Sequence, residues 1–191
     1  GQKTFYSYDL SGNLISVKSY DGTTTSYTYD KYNNRTSVTY PDGTKDTYSY
    51  DLVGNVTEMS KNGRKYTYKY DKVNRVVSVT DPLGQTTSFE YNVFDAVTKT
   101  INADSSQTVN VYDKVGNIIA QTDGNGQTTS YSYDAVYNLK TATFANGSTN
   151  KYIYDNVGNL LAFTDANENK TQYKYSPLGY VTAKRDAKSN T

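Results

Sequence analysis

The chain repeats itself every 21 residues, and this period constrains its fold more than any other feature. YSYDLSGNL at Tyr6–Leu14 returns as YSYDLVGNV at Tyr48–Val56, YSYDAVYNL at Tyr131–Leu139 and YIYDNVGNL at Tyr152–Leu160. Looser copies are YTYDKYNNR, YKYDKVNRV, FEYNVFDAV, NVYDKVGNI and YSPLGYV. The register position is Asp9, Asp30, Asp51, Asp71, Asn92, Asp113, Asp134, Asp155 and Ser176; only the Asp51–Asp71 interval is 20 rather than 21. Nine copies tile residues 1–191 and leave no room for a separate domain. Gly1–Tyr6 aligns with Gly126–Tyr131, and Asp186–Thr191 falls where the next equivalent turn is expected. The chain therefore reads as a segment cut turn to turn from a longer array.

Each copy predicts a hairpin. Thr128–Tyr133 is β-branched and aromatic with period-two character, which is a strand pattern. A D-x-x-G-N turn follows in the better copies, pairing Asp9 with Gly12, Asp51 with Gly54, Asp113 with Gly116 and Asp155 with Gly158. Asp can bond the backbone two residues on, and Gly tolerates positive φ, so a type I turn with a glycine bulge is expected. Asn33, Asn74, Asp95 and Tyr137 replace the glycine; Tyr137 fits poorly, so Asn138 is expected to take the left-handed position. A second strand such as Val76–Thr80 leads to a linking turn, for example Asp21-Gly22, Asp42-Gly43 or Asn62-Gly63. Asp104-Ser105 and Asn167-Glu168 lack the glycine, so looser loops are expected there. Pro41, Pro82 and Pro177 each fall two residues before a turn glycine, outside any strand. The fold class that follows is all-β, an antiparallel meander of about 18 strands in a single-sheet strip that must twist or curl.

Alternation places Tyr6 and Tyr8 on one face, and sixteen of the 22 tyrosines fall in such columns. The neighbouring strand supplies Leu14, Val56, Val76, Val97, Ile118, Leu139, Leu160 and Val181, broken only by Arg35. Ser7, Thr28, Ser49, Lys69, Glu90, Ser132 and Lys174 make the other face polar, with Val111 and Ile153 as exceptions. The second strand also has Val17, Val38, Met59, Val79 and Phe163 at alternate positions. Neither face then reads as a dry core, and the sheet is expected to be wet on both sides.

Composition closes off several function classes. Lys+Arg 20 against Asp+Glu 19 gives a net charge of +1, which argues against a nucleic-acid binder working by bulk charge. His, Cys and Trp are absent, so zinc sites, disulfide frameworks and Ser-His-Asp or Cys-His arrangements are unavailable. No apolar run approaches the ~18 residues of a membrane helix. A membrane barrel is set aside because neither strand column forms a continuous outward apolar band, and no membrane insertion is expected.

The acidic column reads as turn chemistry rather than catalysis. Paired-carboxylate mechanisms need two groups converging on a cleft, whereas each Asp here belongs to its own turn. No D-x-D-x-D-G calcium loop is present, and no metal or cofactor is expected. The tyrosine columns suit packing better than a sugar platform. Tyr20, Tyr32, Tyr40, Tyr66, Tyr137 and Tyr180 lie outside the columns and near turns, and Tyr20, Tyr40 and Tyr66 are the candidate ligand contacts. Lys61–Lys65 is the densest basic spot and reads as a solvated turn.

The Y-x-Y-D-x-x-G-N-L unit, in tandem over all nine copies, resembles the YD repeat of Rhs and YD-repeat proteins. That family includes bacterial polymorphic toxins, cocoon components of ABC-type insecticidal toxin complexes, Gram-positive wall-associated proteins and animal teneurins. The resemblance implies a β-strip spiralling into a hollow shell, with a toxic polypeptide enclosed in the toxins. It implies a non-enzymatic wall segment of a secreted, cell-surface or cell-wall protein, with neighbouring repeats and an enclosed polypeptide as partners. Asp81-Pro82-Leu83-Gly84 echoes the D-P-x-G motif of the toxin core, but it stands alone within the array and fits an ordinary turn. No self-cleavage site carries over. Two alternatives stay open. One is a module binding cell-wall or host glycans, weakened because similar aromatic repeats rely on Trp. The other is a fibre joined through unpaired strand edges.

Overall fold

The computed structural model describes residues 2–187, and they form eighteen strands with no helix. Two compact units divide the chain, Gly1–Phe89 and Glu90–Thr191. In the first lie β1 (Phe5–Tyr8), β2 (Leu14–Lys18), β3 (Thr24–Tyr29), β4 (Arg35–Thr39), β5 (Lys45–Tyr50), β6 (Val56–Lys61), β7 (Arg64–Tyr70) and β8 (Val76–Thr80). Strand β9 (Thr86–Tyr91) spans the boundary. The second unit holds β10 (Val97–Ile101), β11 (Gln107–Tyr112), β12 (Ile118–Thr122), β13 (Thr128–Tyr133), β14 (Leu139–Thr143), β15 (Thr149–Tyr154), β16 (Leu160–Thr164), β17 (Lys170–Tyr175) and β18 (Val181–Arg185). Within each unit, strands pair antiparallel with their chain neighbours. The expected hairpin meander is what forms. The turn positions expected at Gly1 and within 188–191 lie outside the described residues.

Register shows a feature that alternation alone hides. In the first hairpin Tyr8 faces Leu14, Ser7 faces Ser16 and Tyr6 faces Val17, so Ile15 is an extra residue. The same β-bulge recurs after Arg35, Val56, Val76, Ile118, Leu139, Leu160 and Val181. Leu14 and Val17 are three apart, yet both oppose tyrosines and share their face. The expectation that apolar residues spread over both faces is therefore corrected: the bulge gathers Val17, Val38, Met59, Val79 and Phe163 onto the tyrosine face. Polar pairs such as Ser7–Ser16, Thr28–Ser37 and Ser132–Thr141 take the other face. The extra residue sits there too, since the Thr28 hydroxyl lies 2.8 Å from that of Thr36 and 2.7 Å from that of Ser37.

Cross-strand pairing, more than a core, holds this arrangement together. Val38, Ala142 and Ala162 are the buried apolar residues among those described, and no large side chain is fully buried. Tyr152 stacks on Phe163 with ring centroids 5.1 Å apart. Asn110 replaces a column tyrosine and accepts a 2.9 Å hydrogen bond from Gln121 opposite. Arg35, the break in the aliphatic column, sets its guanidinium 5.4 Å from the Tyr48 ring centroid, a cation–π contact. Such pairs contribute about 0.2–1 kcal/mol each, so stability accumulates repeat by repeat.

The turns follow the predicted type with three corrections. Gly12 N–H donates to the Asp9 carbonyl at 3.1 Å and Asp9 N–H to the Asn13 carbonyl at 2.9 Å, with Gly12 at φ +83°. Tyr137 itself adopts the left-handed position, φ +67°, and Asn138 does not take it over. The Tyr137 N–H to Asp134 carbonyl bond closes the turn as glycine would. Ser105 and Glu168 occupy the glycine place at φ +68° and +61° and close their turns at 2.9 and 3.0 Å. Those two loops are therefore as tight as the others, with side-chain strain replacing the expected looseness. Strands β6 and β7 join through a two-residue turn, Asn62 at φ +47° and Gly63 at +77°, where the other linking turns use three. That missing residue is the 20-residue interval.

Candidate functional site

At the acidic column each carboxylate closes its own turn. Asp9 Oδ1 accepts from Ser11 N–H at 2.9 Å and Asn13 N–H at 2.8 Å, and Oδ2 accepts from the Asn13 side-chain amide at 2.9 Å. Asp51, Asp113 and Asp155 repeat this with Asn55, Asn117 and Asn159. Gly12, Gly54, Gly116 and Gly158 carry positive φ in the same turns. The Asn amide, then the backbone N–H groups, hold these four carboxyls below the usual carboxylate range. Among the described residues no group of three or more His, Cys, Asp or Glu could hold a metal ion.

A second element joins one repeat to the next, and it follows from the bulge. The bulge leaves the carbonyl at its start out of the ladder. Tyr29, from the following repeat, donates its hydroxyl to the Leu14 carbonyl at 2.9 Å. Tyr50 reaches the Arg35 carbonyl at 2.8 Å, Tyr70 that of Val56 at 2.8 Å, Tyr112 that of Val97 at 2.8 Å, Tyr133 that of Ile118 at 2.8 Å and Tyr175 that of Leu160 at 3.0 Å. Burial raises the Tyr70 and Tyr133 hydroxyls above their ordinary pKa, which keeps them donors. Turn asparagines add a parallel seam. Asn13 donates to Asn33 at 2.8 Å and Asn55 to Asn74 at 2.9 Å.

Sequence reasoning assigned these tyrosines to packing alone and missed the hydrogen bond. A signal was present. The second aromatic of the motif is Tyr in every copy, from Tyr8 to Tyr175, whereas the first tolerates Phe89 and Asn110. Phe cannot donate, so a strictly Tyr column marks a needed hydroxyl.

The three candidate ligand contacts sit in different settings. Tyr20 is 63% exposed in the β2–β3 turn and borders an open hollow with Phe5 and Lys18. Tyr40 donates to Asp46 Oδ2 at 3.1 Å, and that bond raises its pKa. Tyr66 is half-buried within β7 opposite Met59, close after the Asn62-Gly63 turn. At the basic spot, Lys65 pairs with Glu58 at 2.7 Å, and Asn62 N–H donates to Asp46 Oδ1 at 3.3 Å.

Comparison with known proteins agrees with this architecture. The RHS repeat family model matches residues 8–45, 33–65, 70–107, 112–149 and 154–191. No curated protein matches the chain. Among solved structures, the Photorhabdus luminescens Tc holotoxin pore is similar over 96% of this chain and 13% of that one, with TM-score 0.59 and 14% identity. The TcdB2-TccC3 structure matches 93% of this chain and 13% of that one, also at TM-score 0.59 and 14% identity. The TcdB2-TccC3-Cdc42 structure matches 96% of this chain and 12% of that one, at TM-score 0.55 and 15% identity. The chain thus spans 12–13% of the length of these structural relatives, and at this identity they share its fold.

Proposed function

The chain belongs to the RHS-repeat family, and from that premise we propose that it is a non-enzymatic stretch of shell wall in a longer, secreted bacterial protein. The wall encloses a toxin or other polypeptide carried by the same parent. One observation carries this reading: in six repeats the second tyrosine, Tyr29, Tyr50, Tyr70, Tyr112, Tyr133 or Tyr175, bonds through its hydroxyl to the bulge carbonyl of the repeat before it. A sheet with so few buried side chains gains rigidity from such stitches rather than from a core. The turn carboxylates support a structural role, since Asp9, Asp51, Asp113 and Asp155 each use both oxygens within their own turn. Strand twist and the bulge bend each hairpin locally.

Protease digestion of the intact parent protein tests enclosure. The carried polypeptide should survive a protease that degrades it once the shell is denatured. Equal degradation before and after denaturation contradicts the reading.

A further inference from the structure

The near-zero net charge hides a sorting of charge by place. Of the 19 acidic residues only Asp46, Glu58 and Glu90 lie in strands; the others lie in turns. Where those two glutamates stand, the polar face is matched: Lys65 meets Glu58 at 2.7 Å and Lys99 meets Glu90 at 3.9 Å. Strands β14 to β18 carry no carboxylate. Their register sets Lys151 and Lys170 on either side of Thr164, Lys174 opposite Ala183 and Arg185 opposite Gln172, all on the face away from the tyrosines. Glu168, from the β16–β17 turn, approaches Lys151 at 3.4 Å and offsets one of these four cations. Between the flanks, β16 is uncharged. Ile153, opposite Ala162, is 55% exposed, and Leu161, the extra residue of the bulge, 36%. Ala162 itself is 5% exposed, so the middle of this face is a sunken apolar strip with a cationic strand on each side.

We propose that this strip is a docking groove for an extended polypeptide stretch in which acidic residues alternate with apolar ones, supplied by the polypeptide that the wall encloses. Charge and shape select that occupant. Strands β15 and β17 are two strand spacings apart, ~9.6 Å, which is the width of one extended chain. Side chains of such a chain alternate, so one row rests on Ile153 and Leu161 while the other reaches the flanking ammonium groups. A phosphate polymer would match the lysines but gain nothing from the apolar floor. A bilayer surface would meet the lysine ends but not a floor that lies beneath them. The source of the segment rests on the enclosure reading; the chemistry of the groove does not.

Fluorescence anisotropy of a labelled peptide of alternating glutamate and leucine, titrated with the purified chain, tests it. The peptide should bind saturably and more weakly as salt rises. Lys151→Ser/Lys174→Ser should weaken binding about tenfold, since each exposed ion pair contributes little alone. Ile153→Thr keeps every charge and a β-branched side chain, and should weaken it about threefold. Lys18→Ser/Lys45→Ser, on the polar face of the first unit, should leave it unchanged. No binding, an equal loss from the first-unit variant, or indifference to Ile153→Thr overturns the proposal. Tighter binding of inorganic polyphosphate or of phosphatidylserine vesicles also overturns it, and assigns the face to a phosphate polymer or a bilayer. Failure here leaves the protease test of enclosure standing, whereas peptide binding without protease protection would remove enclosure and keep the groove.

Discussion

Two stretches of the array solve the same problem differently. From Thr128 to Tyr175 the pattern is regular: column tyrosines face Ala142, Leu139, Phe163 and Leu160. From Arg35 to Tyr70 it is not. Arg35 interrupts the aliphatic column, Asp46 is buried on the tyrosine face opposite Val38, and one residue is missing. Each departure has a local answer. Arg35 lies over Tyr48, and Asp46 accepts from both Tyr40 and the Asn62 N–H that opens the shortened turn. What recurs in both stretches is the second-tyrosine hydroxyl on the bulge carbonyl, at 2.8 Å for Tyr50, Tyr70 and Tyr133.

The largest effect should come from the irregular stretch. Asp46→Ala leaves the Tyr40 hydroxyl and Asn62 N–H without their acceptor and should cost about 1–3 kcal/mol in urea unfolding. The equivalent threonine in a regular repeat, Thr129→Ala, should change stability far less; equal losses would mean that Asp46 is not the special acceptor described. Glu168→Gly should then stabilise the chain by about 1 kcal/mol, since a left-handed side chain is relieved. Thermal melting checks it, and a lowered midpoint would contradict the turn assignment.

Acid separates the turns in a finer way. The carboxyls of Asp9, Asp51, Asp113 and Asp155 are held below their ordinary range in the fold by the turn amides. A depressed folded pKa contributes stability that is present above the unfolded value and lost as pH falls through the folded one. Unfolding midpoints should therefore hold from neutral pH to about 4 and fall below it. Asn92 already closes its turn without a titrating group, accepting from Phe94 and Ala96 N–H at 2.9 and 3.1 Å. Asp113→Asn should thus have a small effect at neutral pH and make the acid slope shallower. An unchanged slope would show that this clamp does not titrate with folding.

Much of this fold was legible in the sequence because the 21-residue period and the turn residues carry local rules. Pro41, Pro82 and Pro177 are at the second position of their turns, with Gly43, Gly84 and Gly179 closing them. The bulge was not legible, because nothing in Leu14-Ile15-Ser16-Val17 marks which residue falls out of the ladder. Without the bulge, the sorting of the two faces and the unpaired carbonyl stay hidden, and so does the tyrosine that bonds it. The candidate contacts remain least defined, since a tyrosine beside a turn reports exposure and not the chemistry of what it meets.

Urea unfolding of two triple variants bears most directly on the stitch. Tyr50→Phe/Tyr70→Phe/Tyr133→Phe removes only three hydroxyls and should lose about 1 kcal/mol per site as the bulge carbonyls lose their donor. Tyr48→Phe/Tyr68→Phe/Tyr131→Phe removes the same atoms from the other column and should stay near wild type, as Phe89 already does there. Equal losses from the two variants would contradict the account.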